Sequence, residues 1–150
     1  MDLLKSLRKE ASMNKMEDLY PLILDAFSKD LVFTFPIHGT SMLPLLKTND
    51  LVTLKKIDRP LCVGDIVLFR RFDGSFVLHR IRYISDNQYT IVGDHQRPLE
   101  KNVSEKQMIG YVISYTKKDK VHNMKGLRYR IYKCLVKSSF IRGIFGRLYK

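Results

Sequence analysis

A serine, a histidine and two acids occur in an order that suits covalent hydrolysis. Ser41 lies in Gly39-Thr40-Ser41-Met42-Leu43-Pro44 and His79 in Val77-Leu78-His79-Arg80. Asp94 closes Val92-Gly93-Asp94, and Glu100 follows six residues later. Acyl transfer through serine needs a hydroxyl to attack a carbonyl and an imidazole to take its proton near pH 7. It also needs a carboxylate to hold that imidazole in one tautomer. Each residue alone has a plainer explanation: a serine in a proline-containing turn, a core histidine, a Gly-Asp turn, a solvated loop glutamate. Their joint order is what points to chemistry.

The neighbouring residues fit that chemistry. Gly39 permits close backbone approach and Pro44 fixes the chain just beyond, so the main chain of Gly39, Thr40, Ser41 and Met42 offers N–H groups to an oxyanion. On a strand, His79 shares the apolar face of Val77 and Ile81, while Arg80 and Arg82 are expected to face out. Asp94, at a strand end, and Glu100, in the polar loop from His95, compete for the orienting role. His38 is a lesser candidate base. A metal centre from His38, His79, His95 and Cys62 lacks ligand-pair spacing, so neither metal nor cofactor is expected.

The elements that must position these groups follow from periodicity. Met16, Leu19, Ile23, Ala26 and Phe27 form a helical stripe within Met13–Lys29, and Pro21 marks a place where the helix can begin. Residues 31–115 have the texture of short strands: 31–37, 51–54, 66–69, 76–83, 89–92 and 108–115, separated by turn residues. Asp73-Gly74 is the clearest hairpin. Beyond Tyr115 a helical stripe of Leu127, Ile131, Leu135, Ile141, Phe145 and Leu148 returns, with Ser138-Ser139 and Gly143 breaking it into two helices. The expected organisation is an N-terminal helical segment (1–30), a β domain (31–115) and a basic helical tail (116–150).

The 150 residues carry a net charge of +12, and it is unevenly placed. Residues 116–150 hold 11 Lys/Arg against one acid, whereas residues 1–115 hold 16 against 14. A near-neutral body with a cationic end predicts an added surface-binding segment. Packing of the tail stripe on the body is the first expectation, an anionic membrane surface met by residues 125–150 the second, and nucleic acid the last. No apolar run approaches the roughly 18 residues of a membrane span, and the charged start does not read as a secretory signal. Cys62 and Cys134, without C-x-x-C spacing, fit free thiols. The expected location is the cytoplasm, with a peripheral, membrane-associated position through the tail.

Five ordered segments carry a resemblance: Gly-Thr-Ser-Met-Leu-Pro (39–44), Val-Gly-Asp-Ile-Val-Leu-Phe (63–69), Leu-His-Arg (78–80), Val-Gly-Asp (92–94) and Met-Ile-Gly-Tyr-Val (108–112). Over roughly Val32–Val112 the chain resembles the S24/S26 serine peptidases, the superfamily joining type I signal peptidases to LexA-like self-cleaving repressors. The resemblance implies a mainly β, LexA/signal-peptidase-like core, to which periodicity and charge add the N-terminal helix and the basic helical tail. His79 stands where bacterial signal peptidases and the repressors place lysine, so the chain looks like the Ser–His branch of archaeal and endoplasmic-reticulum signal peptidases. Carried over, Ser41 is the nucleophile and His79 the base. Asp94 and Glu100 match two acids of that branch, the second of which completes the triad. Glu100 departs from the aspartate found there.

No span accompanies the domain, and residues 1–29 are too short for a DNA-binding domain, so neither an anchored signal peptidase nor a self-cleaving repressor is expected. The expected activity is endoproteolysis of an extended peptide or leader. The alternative is a non-catalytic peptide-binding module with the same fold and a membrane-surface tail.

Overall fold

In the computed structural model, residues 16–135 are described. Helix α1 (Met16–Ser28) turns Ile23 and Phe27 into the core, as the stripe predicts. Pro21 lies inside this helix rather than at its start. It is exposed, so water can reach the Glu17 carbonyl left without its N–H partner.

Eight strands follow among the described residues: β1 (Phe33–Pro36), β2 (Leu51–Lys56), β3 (Ile66–Arg70), β4 (Phe76–Ser85), β5 (Gln88–Val92), β6 (Glu100–Ser104), β7 (Met108–Lys117) and β8 (Lys120–Asn123). They form one antiparallel sheet in the order β1-β2-β7-β3-β4-β5-β6, with β8 also paired to β7. Asp73-Gly74 makes the β3–β4 turn, where Gly74 takes a φ of +88° that its missing Cβ permits. Two strands escape the alternation pattern. β6 (Glu-Lys-Asn-Val-Ser) buries only Val103 and passes through a left-handed Asn102. β8 is joined to β7 by Lys118-Asp119, both at positive φ, without the glycine that usually announces such a turn.

The sheet is covered on both faces. On β3 the side chains alternate between two apolar clusters: Ile66 and Leu68 join Leu46, Val52, Leu54 and Ile23, while Val67 and Phe69 join Ile81, Ile91 and Tyr111. A strand buried on both sides reads as an unbroken apolar run, which is why Ile66–Phe69 shows no polar alternation. After β8, helix α2 (Leu127–Leu135) docks on the body. The second helix expected for the tail lies outside the described residues. No helix among those described is long and apolar enough to cross a membrane.

Candidate active site

The Ser41 turn belongs to a loop between β1 and β2 that is closed at its neck. Ile37 N–H donates to Asp50 O (3.0 Å) and Asn49 N–H to Ile37 O (2.9 Å). Gly39 and Thr48 exchange two hydrogen bonds, from Gly39 N–H to Thr48 Oγ1 (3.2 Å) and from Oγ1 back to Gly39 O (3.1 Å). At the far side Lys117 Nζ of β7 donates to the carbonyls of Pro44 and Leu45 (both 3.2 Å). Met42, Leu45 and Leu46 are buried, anchoring the turn from below. Gly39 adopts φ +96°, a conformation that costs a side-chain-bearing residue roughly 1–2 kcal/mol. The Leu43–Pro44 peptide is cis. Among the described residues, the N–H groups of Ser41 and Met42 donate to no protein acceptor, which leaves them available to an oxyanion.

Strand register decides what each of the other groups meets. Val67 pairs with His79, Ile81 with Ile91, and Ile91 with Glu100. Residues opposite one another share a face, and so do residues two apart on one strand. His79 and Glu100 therefore lie on one face of the sheet. Arg80 pairs with Val92, and Asp94 follows Val92 by two, so Arg80 and Asp94 fall on the other. The contacts agree: Glu100 Oε1 is 3.3 Å from His79 Nδ1, a polar contact whose alignment falls short of a hydrogen bond. Asp94 instead receives two hydrogen bonds from Arg80, Nε to Oδ1 and Nη2 to Oδ2, each 2.7 Å.

Arg80 is thus not the outward-facing residue that alternation predicts. It is 4% exposed and Asp94 1%. Arg80 Nη1 also donates to Gly64 O (2.9 Å) and Tyr129 OH (2.6 Å), and Tyr132 OH donates to Asp94 Oδ2 (2.9 Å). A buried charge survives only when its hydrogen-bonding groups are met, and α2 supplies the last partners.

Ser41 and His79 line one cavity of about 250 Å³, together with Ile37, Met42, Arg71 and Gln96. Gly93 brings them close. A methyl group there would stand 2.5 Å from Ser41 O and 3.1 Å from His79 Nε2, so only glycine lets the β5–β6 loop run this close to both. His95 N–H, donating to Ser41 O (2.9 Å), ties that loop to the turn. Among the described residues no hydrogen bond joins Ser41 Oγ to His79. Such bonds are commonly long before a substrate closes the site. His38 lines the same cavity but is exposed, and no carboxylate among the described residues pairs with it.

Electrostatics favour a neutral imidazole. His79 is 3% exposed, and burial holds its pKa below the ordinary value against the pull of Glu100, with the Arg71 cation adding to the depression. Glu100 is held below the usual carboxylate range, first by its hydrogen bonds from Arg71. Arg71 Nε donates to Oε2 (2.8 Å) and Nη2 to Oε1 (2.6 Å). Arg71, Gln96 and Gly93 belong to the site although residue type and spacing give them no role there. Arg71 was within reach of strand alternation: counting by twos from Val67 through Phe69 places Arg71 on the face of His79.

The arrangement can do proton transfer from a hydroxyl in the cavity to a neutral imidazole whose far nitrogen meets a carboxylate. A family model described as Peptidase S24-like matches residues 8–113, a span that contains the Ser41 turn, His79 and Glu100. No curated protein matches the chain. Fold, order of motifs and matched span agree, and the chain belongs to the Peptidase S24-like family.

Proposed function

We propose that this protein is a serine endopeptidase of the Ser–His type. Family membership supports hydrolase chemistry at the level of the family, which also has non-catalytic members. The observation that carries the finer reading is the cavity shared by Ser41 and His79, with Glu100 at the far nitrogen of the imidazole. Ser41 Oγ attacks the scissile carbonyl as His79 Nε2 accepts its proton. The negative oxygen of the tetrahedral intermediate meets the N–H groups of Ser41 and Met42. Glu100 holds the proton of Nδ1 and stabilises the imidazolium, which then protonates the leaving amine. Water repeats the sequence on the acyl-enzyme. Asp94 serves the fold through Arg80. The substrate is an extended peptide, read by main-chain pairing beside the Ser41 turn.

Turnover of a fluorescence-quenched peptide library tests this reading. Wild type is expected to cleave, and Ser41→Ala and His79→Ala to lose about 10²-fold or more, with the fold intact by circular dichroism. Equal turnover by all three leaves the non-catalytic peptide-binding module as the reading.

We further infer that the tail meets an anionic lipid surface. Helix α2 spends Tyr129 and Tyr132 on the body, so the face carrying Leu127, Ile131 and Leu135 stays 71%, 54% and 46% exposed. This differs from the expectation that the leucine–isoleucine stripe would pack: the tyrosine hydroxyls reach the Arg80–Asp94 pair, which aliphatic side chains cannot satisfy. An apolar stripe at i, i+4, i+8 within a segment of 11 bases and one acid suits phospholipid headgroups and acyl chains together.

A further inference from the structure

The carboxylate that meets His79 is a glutamate, Glu100, rather than the shorter aspartate. A glutamate has one more rotatable bond, so more freedom must be lost to hold its carboxylate against an imidazole. Glu100 is 25% exposed, enough for an unrestrained carboxylate to swing into water.

We propose that Arg71 is a positioning residue of this site: its guanidinium fork grips both oxygens of Glu100 and presents Oε1 to His79 Nδ1. The geometry is bidentate, at 2.8 and 2.6 Å, the arrangement that fixes a carboxylate in both distance and plane. Arg71 stands one residue past β3, on the face that β3 shares with His79, so the strand itself aims the fork. It lines the cavity of Ser41 and His79 and also a second cavity of about 300 Å³ with Phe72, Glu100 and Lys101. Arg71 is therefore common to the two, while Glu100 borders the second. The site so built is a chain of four groups, Ser41, His79, Glu100 and Arg71, drawn from a loop, the interior of β4 and two strand ends. The proposal rests on the Ser–His reading for its catalytic meaning, but the coupling of Arg71 to His79 through Glu100 stands on the contacts.

The charged groups on the face of His79 are Glu100 of β6 and Arg71 after β3; Asp94 after β5 acts from the other face and is already paired with Arg80. Removing Arg71 takes away a like charge, which favours the imidazolium, and frees the Glu100 carboxylate to swing into water, which disfavours it. Arg71→Lys keeps the charge and isolates the second effect, so in that variant the titration of His79 must move to lower pH.

Two measurements on the full chain test this. The first is the histidine NMR titration of wild type, Arg71→Met and Arg71→Lys, with His79 assigned by its loss in His79→Ala. The second is the rate of labelling by a fluorophosphonate across the same pH range. Arg71→Lys, which keeps the charge but not the fork, is expected to lower the His79 titration and the acid limb of labelling together, and to lower the plateau rate by about tenfold to a hundredfold. Arg71→Met, which also removes the like charge, is expected to titrate above Arg71→Lys and to lower the plateau as well. A wild-type His79 titration in Arg71→Lys overturns the proposal, as does a wild-type plateau in both variants with unaltered thermal unfolding. If wild type itself resists labelling while the His79 titration still falls in Arg71→Lys, the peptidase reading fails and the positioning role remains.

Discussion

At the scale of single residues, the site depends on which side chains are absent as much as on those present. Gly93 is the sharpest case. Its Cα lies where the β5–β6 loop comes close to the Ser41 carbonyl and the His79 ring, and a methyl group would stand 2.5 Å from that carbonyl. The obstructing atom is backbone, which cannot rotate away. Gly93→Ala is expected to destabilise the fold by roughly 1–3 kcal/mol in a denaturant titration, and to lower activity more than that loss explains, because the turn itself must shift. A variant of wild-type stability and turnover would show that the close approach is dispensable. The two acids make the same point about what residue types alone can say. Asp94 and Glu100 look equivalent as candidates, and only register separates them, one for Arg80 and one for His79.

At the scale of elements, β4 is the strand on which two tasks meet. His79 faces the cavity and Arg80 faces α2, so consecutive residues serve catalysis and docking on opposite sides of the sheet. The Arg80–Asp94 pair with Tyr129 and Tyr132 clamps α2 to the body, and Asp94 is one residue from Gly93 in the loop that touches Ser41. Asp94→Ala leaves the Arg80 guanidinium buried with one fork unmet, which is expected to cost about 3–5 kcal/mol in a denaturant titration. A change under about 1 kcal/mol would mean that water replaces the carboxylate and that the clamp contributes little. Alternation gave most of this strand correctly but placed Arg80 outward, because its partners lie 14 and 49 residues away in the chain. Long-range neutralisation of a buried charge leaves no local signature. The same holds for β6, whose single buried apolar residue is too little pattern to announce a strand, although it carries Glu100.

At the scale of the whole molecule, a near-neutral sheet domain holds the site, and the sequence from residue 116 on is strongly cationic. The mainly β fold, the helix at the start of the described chain and the order of motifs were legible because apolar spacing and turn chemistry are local properties. The direction of α2 was not, because its buried face is chosen by an ion pair on the body. If α2 meets lipid as proposed, flotation with phosphatidylcholine vesicles containing phosphatidylglycerol should retain the protein at low salt. Binding should be lost at high salt and when Leu127, Ile131 and Leu135 are each replaced by glutamate. Equal binding by that variant, or release from vesicles by nucleic acid competitor, would overturn the lipid assignment. The central claim concerns the cavity, and intact-mass and peptide-mapping measurement after exposure to a fluorophosphonate reaches it most directly. One adduct on Ser41, absent in Ser41→Ala and slowed about 10²-fold or more in His79→Ala, is the predicted result. No adduct in wild type, or labelling that is indifferent to His79, would contradict it.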